Sequence, residues 1–228
     1  GTSASIPRGE GKLMLPFSYL LRNLLRRRLR TLVTVLGVAA TTLLVIMMSA
    51  FAGGMHEAAV GNERHDAVYL LGASAEIDLV RSVVPRGHAE VAAAAVEGVL
   101  KVGSLRAASI ELHIATRKGT QVGLLRGVTE SAYLAHPSVS VTQGREPRGP
   151  YELMIGSLAA ARMGLQPEDV AIGKTMELEH KPFTIVGHFS APGTVYEAEL
   201  WARLSDVMLV TKREDVSCVV LRLEDPGK

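Results

Sequence analysis

The chain has 228 residues, 47% of them hydrophobic and only 4% aromatic, with a formal net charge of +2. The charge is unevenly held: residues 1–30 carry seven Lys/Arg against one Glu, net +6, and the remainder is net −4. A nucleic-acid partner would need a basic patch on the folded part, which this distribution argues against, and a single cysteine excludes an internal disulfide.

Residues 1–12, with three Gly, two Ser, a Pro and a Lys, read as a disordered tail. Phe17, Leu20, Leu21, Leu24, Leu25 and Leu29 then recur at i, i+3, i+4, i+7 and i+8 spacing, with Arg22, Asn23, Arg26, Arg27, Arg28 and Arg30 between them. That pattern predicts an amphipathic helix over 13–30, opening near Pro16 and suited to lie among lipid headgroups. The competing reading is that it is merely the N-terminal extension of the helix that follows. Thr31 to Met55 holds no charged side chain, and about 20 apolar helical residues span a bilayer. The stretch predicts a transmembrane helix over 31–55. The Arg cluster before it (Arg22, Arg26, Arg27, Arg28, Arg30) marks the N-terminal side as cytoplasmic and attracts anionic lipid. A buried core helix and a cleaved signal peptide, with Ala50-Phe51-Ala52 as the cleavage site, are the competing readings.

Residues 56–228 then supply an extracytoplasmic domain. Val68–Leu71 predicts a short strand, Gly72–Ala75 a turn and His88–Leu100 an Ala/Val-rich helix. Arg106–Thr116 alternates as a strand with Ile110, Leu112 and Ile114 on one face. Lys118-Gly119-Thr120 turns it into a returning strand, Gln121–Val128. Val139 and Val141 make a brief strand. Glu152–Ile155 predicts a strand and Ser157–Met163 a helix stopped by Gly164. Lys174–Glu179 is a strand, His180-Lys181-Pro182 a turn and Phe183–Phe189 another strand. Ala198–Leu204 predicts a short helix, Val207–Thr211 a strand and Val216–Leu223 a last strand containing Cys218. Interleaved helices and antiparallel pairs give an α+β class, with 144–211 as a smaller, mostly β lobe inserted into a larger α/β frame.

Leu15-Pro16-Phe17-Ser18-Tyr19-Leu20-Leu21-Arg22-Asn23-Leu24-Leu25-Arg26-Arg27, with Thr31-Leu32 and Thr34-Val35-Leu36-Gly37-Val38 after it, resembles the N-terminal signature of MacB/FtsX-type ABC transporter permeases. Gly144-Arg145, Glu152-Leu153-Met154-Ile155-Gly156, Ala159-Ala160-Ala161-Arg162-Met163-Gly164-Leu165, Gly173-Lys174 and Phe183-Thr184-Ile185-Val186-Gly187-His188-Phe189 follow in the order of that family's periplasmic core domain. The resemblance implies a bacterial inner-membrane permease, with a porter-like lobe and a smaller inserted lobe outside. It also implies three more membrane helices, absent from the sequence up to Lys228, so a C-terminally incomplete permease is expected. The implied partners are a cytoplasmic ABC ATPase, a second permease copy and a periplasmic adaptor. The implied action is mechanotransmission, in which ATP-driven closure inside moves a domain outside, for export or lipoprotein release. Phe17, Leu21 and Leu25 are the candidate ATPase-coupling face.

The sequence carries no recognisable catalytic or cofactor motif. Gly9-Glu10-Gly11-Lys12 fails as a phosphate loop, because Ile6 and Leu13 stand where Gly and Ser/Thr are needed. The seven histidines are scattered; His56, His65 and Asp66 lie nearest one another without metal spacing. No Gly-x-Ser-x-Gly elbow occurs. Enzymatic activity, a cofactor and a metal are therefore not expected. Glu197 and Glu199 beside Trp201 read as the start of a solvated helix, or as an adaptor contact built around an exposed aromatic. The alternative function is a single-pass, membrane-anchored periplasmic binding or sensor domain that works without an ATPase.

Overall fold

The computed structural model describes residues 27–60, 66–73, 75, 79–118 and 120–225, with side chains from 27 to 55 in the first of these segments. Phe17, Leu21, Leu25, Arg22, Arg26, His56 and His65 lie outside the residues so described. Two compact units divide at His56/Glu57.

The described residues of the first unit are helical. Helix α1 runs unbroken from Arg28 to Val60, 33 residues, or about 50 Å at 1.5 Å per residue. Its stretch Arg28–Met55 has a mean hydropathy of 2.3 and none of it is buried. Leu36, Leu43, Val45, Ile46 and Phe51 are each 59–66% exposed. A helix apolar on all sides with no buried residue in that stretch fits a membrane span better than a soluble core helix. Its few hydroxyls are satisfied internally: Thr34, Thr41 and Thr42 donate to the carbonyls of Arg30, Gly37 and Val38 at 2.8–2.9 Å. In hydrocarbon, where no water can accept those protons, that is the arrangement required.

The second unit is built on a nine-stranded sheet. Its strands are β1 (Ala67–Leu71), β5 (Ala108–Lys118), β6 (Gln121–Val128), β7 (Ser140–Gly144), β8 (Glu152–Gly156), β9 (Thr175–Leu178), β10 (Lys181–Ser190), β11 (Glu199–Arg203) and β13 (Cys218–Arg222). Short pairs β2 (Val84–Pro85) with β12 (Asp215–Val216), and β3 (Lys101–Val102) with β4 (Leu105–Arg106), stand apart. The order is β1-β13-β5-β6-β11-β8-β10-β7, with β9 on β10. Pairs β6–β11 and β8–β10 are parallel and the rest antiparallel. Helices α2 (Arg86–Ala95), α3 (Ala132–Ala135), α4 (Ala159–Arg162) and α5 (Leu204–Thr211) complete it, with 3-10 turns at Pro167–Val170 and Val195–Ala198. The mixed α+β class follows. Strands drawn from 144–211 are hydrogen-bonded into the same sheet as β5 and β6, through β11.

Both faces of the sheet's central strands are buried. On one face Leu112, Leu125, Leu153, Ile155, Leu200, Val219 and Leu221 pack with Ala89 of α2 and Leu204, Val207 and Met208 of α5. On the other, Met154, Phe189 and Trp201 pack with Ala132 of α3 and Tyr196, and Cys218 and Val220 with Ala135. Period-2 alternation sends neighbours on one strand to opposite cores. β10 would break this rule, because Phe183, Ile185 and Phe189 share parity. Register shifts between Ile185 and Phe189 move Phe189 to the second face.

Two expected elements exchange identity. Residues 198–204 are not a helix but end a 3-10 turn and form strand β11, hydrogen-bonded on both sides to β6 and β8. A central strand buried on two faces loses the polar alternation that marks strands in sequence. Residues 207–211 are not a strand but the end of α5, whose buried Leu204, Val207 and Met208 keep i, i+3, i+4 spacing. Packing there overrides the β preference of Val and Thr. Helix α2 stops at Ala95 rather than Leu100, with Gly98 beyond it at φ +75°. The turn expected at 180–182 is Glu179-His180, φ +47° and +63°, closing a two-residue hairpin of the I′ kind. The Lys118/Gln121 hairpin and the Gly164 helix stop, φ +63°, stand as expected.

Candidate functional site

The second face of the sheet carries charge where the sequence shows only alternation. Opposite Ile110, Leu112 and Ile114, β5 places Ser109, Glu111 and His113. Cross-strand register sets Arg126 beside His113 and Trp201 beside Arg126, with Cys218 facing Glu111. Residues 129–139, including α3, and the Val195–Ala198 turn add His136 and Tyr196 to this face.

Arg126, 2% exposed, is the centre. Its Nε and Nη2 donate to the two oxygens of Glu199 at 2.7 Å each, a bidentate fork. Its Nη1 donates to Glu111 Oε2 at 2.5 Å. His136 Nε2 lies 2.6 Å from Glu111 Oε1, and His113 Nε2 lies 3.3 Å from Glu111 Oε2. Trp201 Nε1 donates to Glu199 Oε2 at 2.9 Å. The guanidinium carbon sits 4.9 Å from the Tyr196 ring centre and 5.7 Å from that of Trp201, a cation–π cage. Tyr196 and Tyr69 share a hydroxyl hydrogen bond of 2.7 Å, which ties β1 to the cluster.

The electrostatics follow from this geometry. Burial alone would raise the Glu111 carboxyl. The His136 and Arg126 charges, with hydrogen bonds from His113 and His136, outweigh it and hold the group well below the usual carboxylate range. Burial likewise opposes the Arg126 charge, and Glu199 and Glu111 overcome it, so Arg126 stays charged. Burial, then the Arg126 charge, push His113 down toward the neutral imidazole, with Glu111 pulling the other way. Burial first and Glu111 second push the Cys218 thiol well up.

A second feature lies at the carboxyl ends of the parallel strands β6 and β11, a usual place for a recess in such sheets. A cavity of about 540 Å³ opens there, lined by Tyr133, Met208, Arg148, Arg203, Glu130 and Glu146 among others.

The residues expected at an adaptor contact end elsewhere. Trp201 is 0% exposed and Glu199 2%, held in the ionic cluster on a central strand. They are corrected from surface contacts to core residues. Glu197 alone of the three stays near the surface, and its Oε1 accepts from Ser157 and Ser190. Arg27, Arg28 and Arg30 lie at the start of α1, exposed. The cluster was missed because Glu111, His113, Arg126 and His136 are far apart in sequence and each reads as a surface residue. The one available signal was Glu199 within an otherwise apolar Glu-Leu-Trp-Ala run.

The sequence matches the MacB-like periplasmic core domain over residues 31–227, and the chain belongs to that family. It is similar in structure to the periplasmic region of MacB from Actinobacillus actinomycetemcomitans, with TM-score 0.51, 13% identity, and 71% of this chain and 76% of that one covered. It is similar also to the extracellular domain of the noncanonic ABC-type transporter YknZ from Gram-positive bacteria, with TM-score 0.51, 14% identity, and 70% and 84% covered. At such identities these likenesses speak for the fold alone. No curated protein matches the chain.

Proposed function

We propose that the chain is the anchored, extracytoplasmic part of an ABC permease of the mechanotransmission type. It takes no part in catalysis and passes ATPase-driven motion from the cytoplasm to a periplasmic domain. The observation that carries this reading is α1, one unbroken helix from Arg28 to Val60, about five residues longer than its apolar span Arg28–Met55. Only six residues separate its end from Ala67, the start of β1. A stiff helix followed by so short a link transmits displacement, whereas a long flexible linker would absorb it. The sheet that β1 enters is cross-braced by the Arg126 cluster, which suits a domain that must move as a unit.

The reading places the N-terminus in the cytoplasm, because the Arg cluster precedes the span, and the core domain outside the inner membrane. A cytoplasmic ATPase, a second permease copy and an adaptor are the partners it calls for. The test is co-purification of the full-length permease with its ATPase. Polar substitutions at Leu21 and Leu25 are expected to lower ATPase recovery while the Trp201 emission of the core domain stays unchanged. Wild-type recovery would remove 13–30 as the coupling element. Reporter fusions after Lys228 that read as cytoplasmic would overturn the whole assignment.

A further inference from the structure

Three buried groups form a donor set that the ion-pair network leaves partly unused. Cys218 Sγ, a ring nitrogen of His113 and a carboxylate oxygen of Glu111 all lie within 4.8 Å of one another. Strand register assembles them: Cys218 sits directly across from Glu111 on the β13–β5 pair, and His113 follows two residues later on the same face. His113 is 1% exposed, and its Nδ1 has no hydrogen-bond partner. A buried imidazole nitrogen left alone forfeits the bond it would make to water, a cost native proteins rarely leave standing. Thiolate, imidazole and carboxylate together are zinc ligands, and the thiolate disfavours magnesium or calcium.

A divalent cation bound here takes Cys218 as the thiolate and releases the thiol proton to solvent.

We propose that Glu111, His113 and Cys218 form a structural site for a divalent transition metal of the zinc type, linking β5 to β13. The Arg126–Glu111 bond then becomes the outer support that orients the ligating carboxylate. Strand β13 also pairs with β1, the first strand after α1, so the metal would brace the part of the sheet nearest the helix in sequence. With Cys218 and Glu111 at 0% exposure, the ion enters while the sheet forms. Loading is therefore coupled to folding, and exchange from the native state is slow.

The experiment uses the full chain in detergent, unfolded with reductant and chelator, then refolded with or without cobalt(II) as a spectroscopic stand-in. The expected result is one cobalt retained per chain after desalting, with a near-ultraviolet thiolate-to-cobalt charge-transfer band and visible bands of a low-coordinate site. Zinc should bleach both. Cys218→Ser and Cys218→Ala should lose the charge-transfer band while regaining the wild-type Trp201 emission. Zinc added during refolding should raise the thermal midpoint of the wild type and leave both cysteine variants unmoved. A refolded wild type that retains no cobalt, or shows no charge-transfer band, overturns the proposal whether or not the variants fold. So does a band that persists in Cys218→Ser, since the metal would then sit on other side chains.

Discussion

Arg126→Met is the sharpest probe of how the core domain holds together. The substitution keeps much of the side chain's length and volume but removes three charge-assisted hydrogen bonds, two to Glu199 at 2.7 Å and one to Glu111 at 2.5 Å. It leaves two carboxylates, 2% and 0% exposed, without their cation. Removing one partner of a buried pair costs about 3–5 kcal/mol, because the other charge stays behind in a poor solvent. Here two charges are stranded, and His136, His113 and Trp201 Nε1 still reach them without replacing the cation, so the upper part of that range, about 4–5 kcal/mol, is expected. In a domain of this size each kcal/mol moves the midpoint by about 2–4 °C, which gives a fall of roughly 8–20 °C. Trp201 is the only tryptophan and is wholly buried. Its emission, followed on heating in detergent with chelator present, reads this core directly. The triple variant Arg126→Met with Glu111→Gln and Glu199→Gln should recover at least half of the loss, since it strands no charge. A single variant within 2 °C of wild type, or a triple variant less stable than the single, would show that the network's worth is not the pairing of charge.

Leu112→Ala, at a fully buried position of the main core, is expected to cost about 2–5 kcal/mol in urea unfolding, through lost transfer energy and the cavity left. Gly144→Ala should destabilise by more than about 1 kcal/mol, because Gly144 has φ +71° and an added Cβ would lie 2.2 Å from the Val186 carbonyl oxygen; circular-dichroism melts check this. Glu152 is held at about 2 by Arg145 first, and then, against some burial, by the backbone N–H groups of Arg148 and Gly149. Its folded value lies below the unfolded value near 4.5, so its contribution is complete above that pH and fades as pH falls from 4.5 towards 2. Glu152→Gln should therefore flatten stability against pH in that acid window and leave the slope above pH 5 unchanged. Replacing Arg26, Arg27, Arg28 and Arg30 with Glu should invert or scramble insertion in reporter fusions, at about 1 kcal/mol of surface attraction per residue, while the isolated emission spectrum of Trp201 stays as in the wild type.

Some of this was readable from the chain alone. The apolar run from Thr31 to Met55 fixes a long bare helix, because length and absence of charge are local properties that need no partner. The β5–β6 hairpin, the Gly164 helix stop and the apolar stripe Ile110, Leu112 and Ile114 were equally plain, since turn chemistry and period-2 spacing act over a few residues. What failed were segments whose character is set by what covers them. Glu199–Arg203 became a strand because β6 and β8 flank it, and Leu204–Thr211 a helix because Leu204, Val207 and Met208 find a core to fill. The ionic cluster is the extreme case. Glu111, His113, Arg126, His136 and Glu199 span 89 residues of sequence. Only the sheet register and the covering of its second face by residues 129–139 and 195–198 turn them from five solvated side chains into one buried network, because a charge's partner and its access to water are decided in three dimensions.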